Sequence, residues 1–268
     1  MCAELDLERD VFFEPDGEDV VATPWTRGPW DLGAQHGGPP SALAARAVET
    51  CLGEERGEWL PGRTAIEILR PVPIARLRAR AEIVKRGRSV LRARAVIEHE
   101  GVEVLRARCL LLRRQGPDDG MATPAPSLED VLGPTRCQPF TFTFFLHDVG
   151  YHRAMEIRIA GGWPESQAIA WARLRVPLVA GESPSGWQRA LCFADAAHGV
   201  APALDPRRFT LVNPDLELAL SREPRGEWIG LEVTTVTTSE GVGLTRSLLR
   251  DEEGAIGGTS ATLVVRHR

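Results

Sequence analysis

Hydrophobic positions along this chain switch between two periods. From Gly37-Gly38-Pro39-Pro40-Ser41 onward, Ala42, Leu43, Ala44, Ala45, Ala47, Val48, Cys51 and Leu52 make a stretch apolar around most of a helix's circumference. Proline is accepted in a first helical turn and alanine is the best helix former, so this pattern predicts a helix buried on nearly every side, ending near Gly53. Four stretches of strand character follow: Thr64 to Val72, Arg76 to Lys85, Ser89 to Glu100 and Val102 to Arg114. The last three alternate apolar and polar residues across the turns Arg86-Gly87-Arg88 and Glu100-Gly101, which predicts an antiparallel meander.

The stretch from Gly116 to Pro139 has no sustained period and reads as a connector. The first order then recurs: strands at Phe140 to Leu146, Glu156 to Ala160 and Ala168 to Leu178, a helix from about Ser185 to His198, and strands at Phe209 to Leu220, Glu227 to Thr238, Gly243 to Arg250 and Ala255 to Arg266. Matching turns lie at a near-constant separation. Arg70 and Arg222 are 152 residues apart, Gly87 and Gly241 are 154, and Glu100 and Glu253 are 153. The reading is a duplicated α+β unit, each copy a long central helix on an antiparallel sheet, with units at 1–115 and 140–268 joined by 116–139.

Composition narrows the classes. The 268 residues are 43% hydrophobic and 26% charged, as in a soluble globular protein, and the formal net charge of -5 gives no overall basic field for nucleic acid. Met1 to Asp10 lacks the features of a signal peptide, no apolar run is long enough to span a membrane, and five scattered cysteines are without metal or redox spacing. These features predict a cytoplasmic protein with reduced thiols, no metal and no membrane or nucleic-acid partner. Arg78 and Arg80, Arg92 and Arg94, and Arg106 and Arg108 recur every 14 residues with Glu82, Glu98 and Glu103 among them. That pattern suits a solvated sheet face better than a phosphate site.

Three segments carry a family resemblance: Gln35-His36-Gly37-Gly38-Pro39-Pro40 with its alanine-rich helix, Phe193-Ala194-Asp195 late in the second helix, and Asp215-Leu216-Glu217 running through Arg222 to Glu227-Trp228. In this order they resemble the double-hotdog acyl-CoA thioesterases of the thioesterase II (TesB-like) group. The resemblance implies a double hotdog, an acyl-CoA substrate, fatty by expectation, no cofactor beyond the coenzyme A of the substrate, and a homodimer. In that family an aspartate of the second helix acts with a Ser or Thr and a Gln to activate water. Asp195 matches the aspartate, Asn213 falls at the hydroxyl position, and Ala261 replaces the glutamine, leaving Ser260, Thr262 or His198 to supply a polar group.

Thioester hydrolysis needs a water, a base and donors for a developing oxyanion. Asp195 is the expected base, its pKa raised by partial desolvation. Asn213 is the expected water-orienting group, although Asn213-Pro214-Asp215 is also a turn or bulge signal. The Gly38 amide at the helix entrance is the expected oxyanion donor, with Gly37, His36 and Gln35 beside it; tight turning into a crowded helix explains the same glycines. Two other functions remain open on the sequence. One is a dehydratase or hydratase using His36 and Asp195, and the other is an acyl-thioester or lipid-binding protein without turnover, which Ala261 favours. The tryptophans are expected mostly in the core, with some lining an acyl tunnel.

Overall fold

A computed structural model describes residues 10–116 and 132–268. Within the connector expected at 116–139, residues 117–131 lie outside the described residues, as does nearly all of the acidic start of the chain. The first half contains β1 (Phe13–Asp16), β2 (Asp19–Ala22), α1 (Gly38–Leu52), β3 (Trp59–Ile68), β4 (Arg76–Arg86), β5 (Val90–His99) and β6 (Val102–Arg113). The second contains β7 (Gln138–Phe140), α2 (Tyr151–Ala154), β8 (Met155–Ala160), β9 (Gln167–Leu174), α3 (Gly186–Ala194), α4 (Ala197–Val200), β10 (Phe209–Val212), β11 (Asp215–Leu220), β12 (Ile229–Thr237), β13 (Val242–Asp251) and β14 (Gly254–His267). No helix among the described residues is long and apolar enough to cross a membrane.

The strands form one antiparallel sheet in the order β1-β2-β4-β5-β6-β3-β11-β14-β13-β12-β9-β8-β7, with β10 also on β14. From the β3–β11 seam outward the two halves read as mirror lists: β3 is followed by β6, β5, β4 and β2, and β11 by β14, β13, β12 and β9. Equivalent strands keep the spacing seen in the sequence, β3 and β11 ending at Ile68 and Leu220 and β5 and β13 starting at Val90 and Val242. At the matching turns, Gly101 and Gly254 both take positive φ (78° and 133°), a region open to glycine at little cost.

Helix α1 lies on β4, β5 and β6, α3 lies on β9, β11 and β12, and the two helices pack on each other. Ala42, Leu43, Ala44, Ala45 and Val48 are buried because α1 is enclosed by sheet on one side and helix on the other. Across the seam the Trp187 indole N–H donates to the Thr64 hydroxyl at 3.0 Å, which satisfies a polar group that the core would otherwise strand.

Three expectations are corrected. The second helix is not one element from 185 to 198: α3 ends at Ala194, Asp195 is its C-cap, and a turn separates it from α4. The strand expected from Phe140 to Leu146 stops at Phe140, and the following residues keep alternating burial with no partner strand among the described residues, placing Phe142 and Phe144 in the core. The strand expected from Phe209 to Leu220 is broken at Asn213-Pro214, where proline cannot donate to the ladder. The arginine face is a solvated ion-pair network, in which Arg94 and Arg106 meet Glu103, and Arg108 meets Glu67.

Candidate active site

His36 is placed by backbone and ring together. Its N–H donates to the Thr26 carbonyl at 2.7 Å, and its imidazole lies flat on Tyr151, ring centroids 3.7 Å apart and 1° from parallel. The Tyr151 hydroxyl in turn donates to the Cys192 carbonyl of α3 at 3.0 Å. Burial, with the nearby Cys192 and Asp195, pushes the tyrosine pKa well up, so it stays a neutral platform. Sequence reading missed Tyr151, although it is the only tyrosine in the chain.

Asp195 comes to the same point from the second half. Its Oδ2 is 3.0 Å from His36 Nδ1, and its Oδ1 accepts from Asn213 Nδ2 at 2.7 Å. The carboxylate is 3% exposed. Burial alone would raise its pKa, as the sequence reading expected. The charge and hydrogen bond of His36, with His198 and the Asn213 amide, outweigh that and hold it at about 2. The Gly38 N–H also lies 3.2 Å from His36 Nδ1. One nitrogen cannot both donate to Asp195 and accept from Gly38, and a charge-assisted hydrogen bond to a buried carboxylate is the stronger of the two, so Nδ1 carries the proton. In the neutral ring, Nε2 is then the lone-pair nitrogen.

His198 follows on α4, 7% exposed. Burial lowers its pKa to about 4, against the pull of Asp195 and with the push of His36, while the Leu211 carbonyl accepts a hydrogen bond from the ring. It is therefore neutral at pH 7, with one nitrogen committed and the other an acceptor.

His36, Gly37, Asp195, His198 and Asn213 share one cavity of about 360 Å³. Gln35 also lines it; its Nε2 donates to the Pro73 carbonyl at 2.7 Å, leaving Oε1 buried with no partner in the protein. Gly38 does not line the cavity. A side chain there would collide with the Cys192 carbonyl, so this glycine permits the α1–α3 approach, and the proline pair at 39 and 40 removes further amide donors from the helix entrance. Of the two adjacent glycines, Gly37 lines the cavity, and a Cβ on it would sit 2.8 Å from Asp195 Oδ1. Ser260 and Thr262 are absent from the cavity. They point to the sheet face opposite buried Ala261, where Thr262 bonds to Asp215. Glu217 pairs with Arg63 across the seam and Arg222 with Asp251, so these parts of the motif hold strands and turns together.

The remaining wall is mostly apolar, with Asp31 and Arg70 also at the cavity. Trp30, Phe142, Phe144 and Phe145 line the cavity, with Ile68, Val72 and Leu211 among the aliphatic residues.

Residues 26–112 match the family model for the acyl-CoA thioesterase N-terminal domain, and residues 134–265 match that for the acyl-CoA thioesterase C-terminal domain. A candidate thioesterase from Novosphingobium aromaticivorans is similar in structure, with 20% identity and a TM-score of 0.73 over 94% of this chain and 98% of that one. A hot dog fold protein from Alicyclobacillus acidocaldarius has 13% identity and a TM-score of 0.68 over 96% and 95%. The acyl-CoA thioesterase II TesB2 of Mycobacterium marinum has 14% identity and a TM-score of 0.62 over 95% and 94%. None of the curated proteins compared matches the sequence. These likenesses identify the architecture as a double hotdog.

Proposed function

This chain belongs to the acyl-CoA thioesterase family through both of its halves and is a thioester hydrolase; from that premise, we propose that the His36–Asp195 pair supplies its base. The contact that carries this reading is the 3.0 Å approach of His36 Nδ1 to Asp195 Oδ2, which joins the two halves at the cavity. A carboxylate held at about 2 is a weak base but a good partner for an imidazolium. Asp195, fixed by Asn213, therefore holds the Nδ1 proton, and His36 Nε2 takes a proton from water.

The water oxygen attacks the thioester carbonyl carbon, and the π electrons move onto oxygen, toward the Gly37 amide. As the tetrahedral species collapses, the C–S bond breaks and the coenzyme A thiolate leaves. The proton on His36 passes to the sulfur, giving free acid and thiol. His198, neutral and lone-pair bearing, stands in for the missing polar group at position 261 by accepting a hydrogen bond from the water's second O–H, whose hydrogen stays on the product acid. Gln35 Oε1 is suited to an amide N–H of the pantetheine arm. A homodimer belongs to this reading as well; it is supported by β7, which ends the sheet with only β8 as a partner strand among the described residues.

The test is release of coenzyme A from a panel of acyl-CoAs. Asp195→Asn is expected to lower kcat by about 10²- to 10⁴-fold, the usual worth of base catalysis; a rate close to that of the unchanged protein would refute the assignment. The shared cavity of His36 and Asp195 also favours a second reading, hydration or dehydration of enoyl and hydroxyacyl thioesters. Turnover of those substrates with no hydrolysis of saturated acyl-CoAs would select it.

A further inference from the structure

The aromatic wall of the cavity has no role in the chemistry above. Phe142, Phe144 and Phe145 come from one short segment of the second half and Trp30 from the first. Trp30 and Phe144 stack with centroids 5.4 Å apart, Phe142 meets Phe144 edge-on at 5.5 Å, and Phe142 and Phe145 stack at 5.7 Å. Rings outside the cavity brace them: Trp163 lies parallel to Phe144 at 6.1 Å, Phe140 meets Phe142 edge-on at 5.1 Å, and His152 backs Phe145 at 4.3 Å. Walls fixed in this way present faces and edges that are not free to re-form around a flexible chain.

Their position selects which part of a substrate they meet. Phe142 packs against Gly199, the residue after His198, and both Phe142 and Phe144 are buried. The wall therefore begins beside the reacting groups, with Phe142 and Phe144 buried and Trp30 and Phe145 half-buried. The adenine of coenzyme A is many bonds from the thioester and attached to hydrated phosphates, so a buried wall at this point belongs to the acyl side.

We infer that the acyl subsite takes a thioester whose acyl group carries a planar aromatic ring a short spacer from the carbonyl. The inference rests on the thioesterase reading for the identity of the reacting end. An aromatic ring stacks offset or edge-on against these residues, whereas a saturated ring of the same size has no π-face to offer, and a linear chain also loses rotamer freedom on binding.

The experiment compares 3-phenylpropionyl-CoA with 3-cyclohexylpropionyl-CoA and hexanoyl-CoA. We expect kcat/KM for the phenyl thioester to exceed both by about threefold to tenfold, the scale of one favourable ring pair, and Phe144→Leu to bring the phenyl-to-cyclohexyl ratio toward one. A ratio at or below one in the unchanged protein overturns the inference. The same substrates as N-acetylcysteamine thioesters remove the nucleotide. A Phe144→Leu penalty present with both carriers supports the acyl assignment, and one confined to the coenzyme A thioesters overturns it in favour of adenine. Should no thioester be hydrolysed, the thioesterase reading fails by itself, and the ratio of dissociation constants for the phenyl and cyclohexyl thioesters, measured on Asp195→Asn, still decides the ring preference.

Discussion

His36 and Asp195 are held in place by their neighbours. Tyr151 fixes the plane of the imidazole, and Asn213 occupies the second oxygen of the carboxylate. Replacing Asn213 by Ala leaves one oxygen of a buried carboxylate without that partner. The expected result is a fall in kcat of about tenfold to a hundredfold with KM little changed, and a fall confined to KM would assign Asn213 to substrate binding instead. The pair was legible in the sequence only through the family's motif order, because nothing local to His36 or Asp195 distinguishes them from structural polar residues. Tyr151, which backs His36, and Phe142, Phe144 and Phe145 were not legible as site residues: the three phenylalanines reach the cavity from a segment with no partner strand among the described residues, and its alternation resembled an ordinary strand. Ser260 and Thr262 were misplaced for a simpler reason. Ala261 and Leu263 are buried, so period-two alternation already sends 260 and 262 to the other face.

At the scale of elements, the entrance of α1 separates packing from chemistry in adjacent glycines. Gly38→Ala places a methyl against the Cys192 carbonyl at the helix crossing, where backbone must move, so a loss of about 3 kcal/mol in denaturant unfolding is expected. Gly37→Ala instead meets the Asp195 carboxylate, and displacing a reacting group by a fraction of an ångström is expected to cost up to about 10²-fold in kcat while stability changes by about 1 kcal/mol. Equal stability losses in the two variants would contradict this division. Helix α1 and the β4–β6 meander were readable because their periods are strong and local. Strands β1 and β2, four residues each, were missed, since a short edge pair held by the other half carries little pattern of its own: the Phe12 and Phe13 amides donate to the Pro177 and Leu178 carbonyls. Strand β3 begins at Trp59, earlier than expected, because the Pro61-Gly62 break is absorbed as a register shift against β6.

For the whole molecule, buried imidazoles couple folding to pH. His198 ionises at about 4 in the folded chain and near its ordinary 6.5 when unfolded, so between those values the unfolded state binds more protons. Stability is then complete above pH 6.5 and falls by roughly 1 kcal/mol per pH unit as the pH drops toward 4. Asp195, with its folded pKa depressed, adds a further loss only below its ordinary 3.8. His152, also lowered to about 4 by burial, has Nδ1 buried without a partner. His152→Phe is expected to raise the melting temperature at pH 5 and to narrow the gap between pH 5 and 7; an unchanged gap would remove His152 from this account. The duplication also means that neither half holds the whole of the proposed site, since His36 belongs to the first and Asp195 and Asn213 to the second. The most direct test of that arrangement is a double-mutant cycle on acyl-CoA hydrolysis, comparing kcat for Asp195→Asn, His36→Gln and the double variant. Groups acting as one unit predict that the double variant is no slower than the slower single one within a few-fold; losses that simply multiply, or a single variant at the unchanged protein's rate, would contradict it.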